Sequence, residues 1–191
     1  MTRPLDENQL LNAGNRKAWR AWLKSHYRSE TEIWLVYYKQ HTGKPRVTYN
    51  EAVEEALCFG WIDSTVRRVD ENRYTQRFSP RKPGTPYSQA NKERLAALIA
   101  KGKVAKEVSA TLGKPAPKRF HIPPDILEAI QADPAAWNNF RKFSPSYKRI
   151  RIAFIDGARN RPAEFQKRLQ YFLRMTAKNK QFGFGGIEKY Y

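Results

Sequence analysis

Trp61, Asp63, Arg77, Arg81 and Asn91 bring an indole, a carboxylate, two guanidiniums and an amide close together in the chain, and Lys39 adds an amine. These are the side chains of an anion site. An indole supplies an apolar wall, guanidiniums grip an anionic group with paired N–H bonds, and a carboxylate orients one of them. Arg77 and Arg81 flank the loop SPRKPGTPYS (79–88), which feeds a helix carrying Asn91. A helix start with arginines nearby suits a bound anion. The structural alternative is that Asp63 bonds its own backbone or pairs with Arg67 or Arg77, while Arg81 sits in a solvated loop.

A second set lies towards the end of the chain. Lys148, Arg149, Arg151, Arg159, Lys167 and Arg168 alternate with Tyr147, Phe154, Tyr171 and Phe172. Cations and aromatic rings together can hold single-stranded nucleic acid, by neutralising phosphates and stacking on bases. The rings also share helical spacing with Ile150, Ile155 and Leu169, which gives them a core role as the alternative reading. No RNA-recognition or zinc-finger motif accompanies them.

Net charge sets the partner class. The chain carries 36 Lys+Arg against 18 Asp+Glu, a formal charge of +18, so its partners are expected among anionic small molecules, acidic macromolecules and nucleic acid. The excess is uneven. The first 100 residues hold 17 basic and 11 acidic side chains, whereas 141–180 hold 12 basic residues and only Asp156 and Glu164.

Other chemistries lack their parts. Cys58 is the one cysteine, so an intrachain disulfide or a multi-cysteine metal site is excluded. It falls at a helix C-terminus, where the dipole opposes a thiolate, among apolar neighbours that suit a packed thiol. His26, His41 and His121 fall in a helix end, a turn and a linker and show no metal-ligand spacing, so neither metal nor cofactor is expected. There is no G-x-S-x-G or Walker A motif. An enzyme would have to use Asp63 for acid–base work, and the reading leans away from catalysis. FGFGGI (182–187) has no helix after it. It reads as a tail that docks Phe182 and Phe184, with Tyr190 and Tyr191, back onto the body.

The elements that must position these residues are legible in the pattern. NRKAWRAWLKSH (15–26) sets Ala18, Trp19, Trp22 and Leu23 along one helical face, with Asn15 as its cap. TEIWLVYYKQ (31–40) sets Ile33, Leu35 and Tyr37 against Trp34, Val36 and Tyr38, apolar on both alternating faces, which predicts a strand covered on both sides. Thr48 and Glu51 form a capping box ahead of a helix that Gly60 ends, and Trp61 opens the next strand. WIDSTVRRVD and NRYTQRFS read as a hairpin, and Ser88 caps a helix ended by Gly102. Residues 109–124, with four prolines, read as a linker. Beyond it Asp133-Pro134, Ser144-Pro145 and Arg161-Pro162 each mark a helix start.

Four stretches carry a family resemblance: WLVYYKQHTGKPRVTYNEAVEEALCFGWIDS, RFSPRKPGTPYSQANKERL, FSPSYKRIRIAFIDGARN and FGFGGIEKYY. With them the chain resembles the bacterial YdeI/OmpD-associated, or bacteriocin-protection, family over roughly residues 15–191. The resemblance implies an α/β domain followed by a helical segment and supplies no catalytic or binding residues. Tyr87-Ser88 stands where many relatives carry Trp-Ser.

The expected architecture is α+β. A domain over 1–108 holds a small antiparallel sheet packed by helices, a Pro-rich linker covers 109–124, and a small all-helical domain with a docked tail covers 125–191. The expected protein is a non-enzymatic binding or stress-protection protein that recognises an anionic ligand or partner, with nucleic-acid binding by the basic helices as the alternative. No apolar run reaches the length of a membrane span, and the first residues lack a signal-like apolar segment, so the cytoplasm is the expected location.

Overall fold

The computed structural model describes residues 9–112 and 120–183. They fall into two compact units. One lies within Met1–Pro86 and Leu95–Lys114, the other within Tyr87–Arg94 and Pro115–Tyr191.

The first unit is built on a four-stranded sheet in the order β1-β2-β4-β3. Its strands are β1 (Leu10–Leu11), β2 (Ile33–Tyr38), β3 (Trp61–Arg68) and β4 (Arg73–Pro80). β2–β4 and β4–β3 pair antiparallel, as the sequence predicts, whereas β1 adds a short parallel edge through Leu10↔Trp34 and Leu11↔Leu35. Two residues are too few to leave a periodic signal. β2 is buried over Ile33–Tyr37, which fits its run of apolar side chains on both faces. Asp70 closes the β3–β4 hairpin: its Oδ1 accepts from the amides of Asn72 and Arg73, both at 2.7 Å.

Helices α1 (Arg16–His26) and α2 (Tyr49–Cys58) belong to this unit. The Asn15 side chain caps α1 by accepting from the Ala18 amide at 2.9 Å. Thr48 and Glu51 form the expected capping box on α2. Gly60 follows with φ 73°, a left-handed conformation that glycine adopts without a Cβ penalty, and turns the chain directly into β3. Trp19 ties the layers together. Its ring packs 5.3 Å from Phe78 of β4, and its Nε1 donates to the Ala52 carbonyl of α2 at 3.0 Å.

Helix α3 (Gln89–Ala100) begins after Ser88, whose Oγ accepts from the Asn91 amide at 3.3 Å. Its residues up to Arg94 group with the second unit. Helix α4 (Lys106–Thr111) was not anticipated, and it takes in residues 109–111, read from sequence as the start of a linker. Ala105 at its N-cap offers no side-chain cap, so the usual start signal is missing. Most of the remaining linker, 113–119, lies outside the described residues.

In the second unit, α5 (Pro124–Gln131), α6 (Pro134–Lys142), α7 (Pro145–Asp156) and α8 (Pro162–Ala177) all start on proline. Proline fits a first helical position because its missing N–H would have no intrahelical partner there. Asp133 and Ser144 cap α6 and α7 through their side chains, and Arg161 precedes α8 without a side-chain cap. The helices close on a core of Ile126, Ile130, Phe140, Ile152, Ile155 and Phe172. Phe182 packs against that core, and its amide donates to the Tyr147 hydroxyl at 3.2 Å. The expected tail docking therefore holds for Phe182. Phe184, Tyr190 and Tyr191 lie outside the described residues.

A candidate anion and stacking cleft

Of the six residues proposed as a pocket in the first domain, the five that lie in the first unit take separate structural roles. Trp61 has no exposed surface. Its Nε1 donates to the Tyr27 carbonyl at 3.1 Å, and its ring meets Trp22 edge-on at 5.7 Å. It is core, not a pocket wall. Asp63 lies opposite Phe78, which puts both on the sheet face that Trp19 covers. Arg77, one residue along β4, points to the other face. There it holds Glu32 through Nε at 2.8 Å and Nη2 at 2.5 Å. The expected Asp63–arginine pair is replaced by neutral donors, since Asp63 Oδ2 accepts from Gln76 Nε2 at 2.7 Å and from the Tyr49 hydroxyl at 3.2 Å. Arg67 lies over the Trp34 ring at 4.8 Å.

Arg81 pins its own loop, donating to the carbonyls of Thr85 and Pro86 at 2.8 and 3.2 Å. Lys39 is half-buried at the end of β2, where its amide donates to the Asn72 carbonyl. Asn91 falls in the second unit, and its Oδ1 accepts from Arg94 at 2.9 Å. Cys58 is fully buried, and its thiol is pushed up to about 11 by burial and by the Glu55 carboxylate. That suits packing and opposes nucleophilic use.

Sequence reasoning also missed what becomes of the α1 arginines. Glu55 is a buried carboxylate, 2% exposed. Arg16 reaches its Oε1 and Arg20 its Oε2, each at 2.5 Å, so two cations of the first unit lock α1 to α2. The i, i+4 spacing of Arg16 and Arg20 was visible, but the carboxylate they share is far along the chain.

The second set divides. Arg149 makes a two-pronged pair with Glu93, at 2.6 and 2.7 Å. Burial works to raise the Glu93 carboxyl, but the hydrogen bonds from Arg149 and Gln89 outweigh it and hold the carboxyl below the ordinary glutamate range. Arg159 is taken up by Asp125 and Asp156. Lys148 donates to the Arg141 carbonyl at 2.8 Å, and burial lowers its pKa.

Arg151, Lys167 and Arg168 do meet. They line a cleft of about 460 Å³ formed by α7, α8 and Phe182. On α7, Arg151 and Phe154 are three residues apart. On α8, Glu164, Lys167, Arg168, Tyr171 and Arg174 follow the same helical rhythm, which turns one face of each helix to the cleft. Phe154 is 47% and Tyr171 39% exposed, although both are large aromatic rings. The Arg168 guanidinium stacks 3.8 Å above the Phe154 ring, held there by Glu164 Oε1 at 2.8 Å and the Phe154 carbonyl at 2.7 Å. Arg151 lies 5.4 Å from the Phe154 ring and 5.2 Å from Phe182. Tyr171 meets Phe182 edge-on at 4.7 Å, and Arg174 stands over it at 5.2 Å. Lys167 and Arg174 make no salt bridge among the described residues, although Lys167 acts through space on the Glu164 carboxylate. Arg174 was missed by sequence reasoning, yet its place three residues after Tyr171 and seven after Lys167 could have found it.

Residues 11–111 match the model of a family described as a domain of unknown function, DUF8412, over just over half of the chain. The chain belongs to that family. Residues 119–179 match the model described as Bacteriocin-protection, YdeI or OmpD-Associated. The resemblance read over 15–191 is thus borne out for the helical part, including FSPSYKRIRIAFIDGARN, while the stretch ending in GWIDS lies within the DUF8412 match. Comparison with curated proteins and with solved structures found no match. Every cleft residue named above except Phe182 falls inside the YdeI/OmpD-associated match. Among the described residues, no helix is long and apolar enough to cross a membrane, and no group of three or more His, Cys, Asp or Glu could hold a metal ion.

Proposed function

We propose that this protein is a non-enzymatic binding protein of the cytoplasm, and that its helical unit takes single-stranded nucleic acid in the α7–α8 cleft. The observation that carries this reading is the exposure of Phe154 and Tyr171 beside Lys167 and Arg174. An exposed ring offers a face to any base, and base–aromatic stacking contributes about 1–3 kcal/mol per base. These two cations, which make no salt bridge among the described residues, can each neutralise a phosphate and release its counterions. Arg151 and Arg168 brace the Phe154 ring, and Phe182 meets the Tyr171 ring edge-on.

A salt series tests it. Fluorescence anisotropy of a labelled single-stranded RNA should show affinity falling steeply with salt, and Lys167→Ala with Arg174→Ala should reduce the logarithmic slope by roughly 1.4, about 0.7 per phosphate. An unchanged slope in that double variant would exclude the cleft as the phosphate contact.

The second reading is an anionic small molecule or acidic protein in the same cleft. It is favoured by the largely aromatic and aliphatic walls, which include Ile155 and Phe172. On either reading the bacteriocin protection named in the family description would follow from binding and not from turnover.

A further inference from the structure

One buried polar atom in the first unit takes no part in the contacts described so far. Tyr37 is 1% exposed, and its hydroxyl has no hydrogen-bond partner among the described residues. A buried hydroxyl left unsatisfied is costly enough that native structures supply it with a partner, from the protein, from water or from a ligand.

Its surroundings are specific. Tyr37 pairs with Tyr74 across β2 and β4, and the two rings stack at 5.1 Å with an interplanar angle of 6°. Gln76, two residues along β4, shares that sheet face and donates to Asp63. Tyr49 opens α2 and donates to the same carboxylate. Both donors converge on Oδ2, so Oδ1 of Asp63 is left without a donor among the described residues. The Gln76 amide nitrogen is committed to Asp63, so its carbonyl oxygen is what remains to offer. The groups that act on the Tyr37 hydroxyl after burial itself are Tyr74, Asp63 and Tyr49, all of which oppose its ionisation, and no cation is among them.

In a chain of net charge +18, this is a place built from acceptors and aromatic faces. Arg68 stands opposite Tyr74 in the register, but its Nε donates to the Asp70 carbonyl at 3.2 Å, so among the described residues no cation bonds Asp63 or the Tyr37 hydroxyl. Asp63, Tyr49 and Tyr74 are partly exposed, which gives access from solvent, while Tyr37 lies deeper. A primary ammonium has three donors to share between Asp63 Oδ1, the Gln76 carbonyl oxygen and the Tyr37 hydroxyl oxygen, and its charge is attracted to tyrosine ring faces. We infer that the Tyr37–Asp63 cluster binds a small organic ammonium ion, and so gives the first unit a ligand class opposite in charge to that of the helical unit.

Isothermal titration with n-butylammonium chloride at fixed ionic strength tests this on the full chain, with sodium butyrate as the charge-reversed control. Saturable binding of the ammonium alone is expected. It should weaken at least about tenfold in Asp63→Asn, as fits loss of a hydrogen bond to a charged group. Tyr37→Phe, which removes one oxygen and keeps the ring, should weaken it severalfold. No saturable binding, equal binding of butyrate, or full affinity in Asp63→Asn would each overturn the inference. Should Asp63→Asn not fold, Tyr37→Phe decides, and unchanged affinity there means that water alone serves the hydroxyl.

Discussion

In the first unit Arg16 and Arg20 close on the buried Glu55, Arg77 closes on Glu32, and Arg81 closes on the carbonyls of its own loop. In the second unit Lys167 and Arg174 stand beside two exposed aromatic rings and make no salt bridge among the described residues. Both regions present the same residue types. What differs is the supply of acids, 11 against 19 basic residues in the first unit and two against 12 over 141–180 of the second. Where carboxylates are plentiful the fold takes up the guanidiniums. Where they are scarce, cations are left over for an outside partner. The lesson is that a candidate anion site is better judged by the acids around it than by the arginines in it.

The largest effect that would break this comparison comes from Trp61. As a pocket wall it could be truncated cheaply. As a fully buried core ring, Trp61→Ala should cost about 3–5 kcal/mol in the denaturant-induced unfolding of the first unit. A loss under about 1 kcal/mol would return Trp61 to the surface role that its sequence neighbours suggested.

Glu55→Ala comes next. It leaves Arg16 and Arg20 without their shared carboxylate, and the expected loss is about 2 kcal/mol, less than for a fully buried pair because both arginines are about a third exposed. Thermal unfolding of the variant checks this. Arg77→Ala and Arg81→Ala should each cost about 1 kcal/mol or less and leave anion binding unchanged, because one sits in a half-exposed pair and the other braces a loop. Loss of nucleic-acid affinity in either would place the site back in the first unit.

A smaller effect depends on pH. The Glu93 carboxyl is held below the ordinary value of 4.5 in the folded protein. The unfolded chain therefore takes up that proton first as pH falls. The Glu93–Arg149 pair contributes its full stability above about pH 4.5 and loses it as pH drops through the folded value. Glu93→Gln should flatten the acid limb of the stability profile of the second unit, and an unchanged limb would show that the pair contributes nothing.

Much of the fold was legible because its signals are local. Asn15, the Thr48–Glu51 box, Gly60, Ser88 and the three proline-led helix starts are each read from a few adjacent residues, and each stands where the sequence put it. The two-residue β1 and the weakly capped α4 carry no such signal, and neither was foreseen. The site was less legible for a different reason. Whether Asp63 meets Arg77 depends on which sheet face each occupies, and the alternation in β3 and β4 puts them on opposite faces only once the register Asp63↔Phe78 is known. Glu32, Glu55 and Glu93 take their arginines from 45, 39 or 35, and 56 positions away. The cleft, by contrast, comes from two helices whose inward spacing is written in the sequence, so half of the six cations proposed there do line it.

The most direct test of the account is the affinity of a labelled single-stranded oligonucleotide for the Phe154→Ala, Tyr171→Ala double variant, compared with wild type at physiological salt. Both rings are substantially exposed, so the protein should stay folded. The account predicts a loss of roughly ten- to hundredfold, as removal of stacked bases would give. Wild-type affinity in the double variant would contradict it and leave the charge of +18 as a general property of the surface.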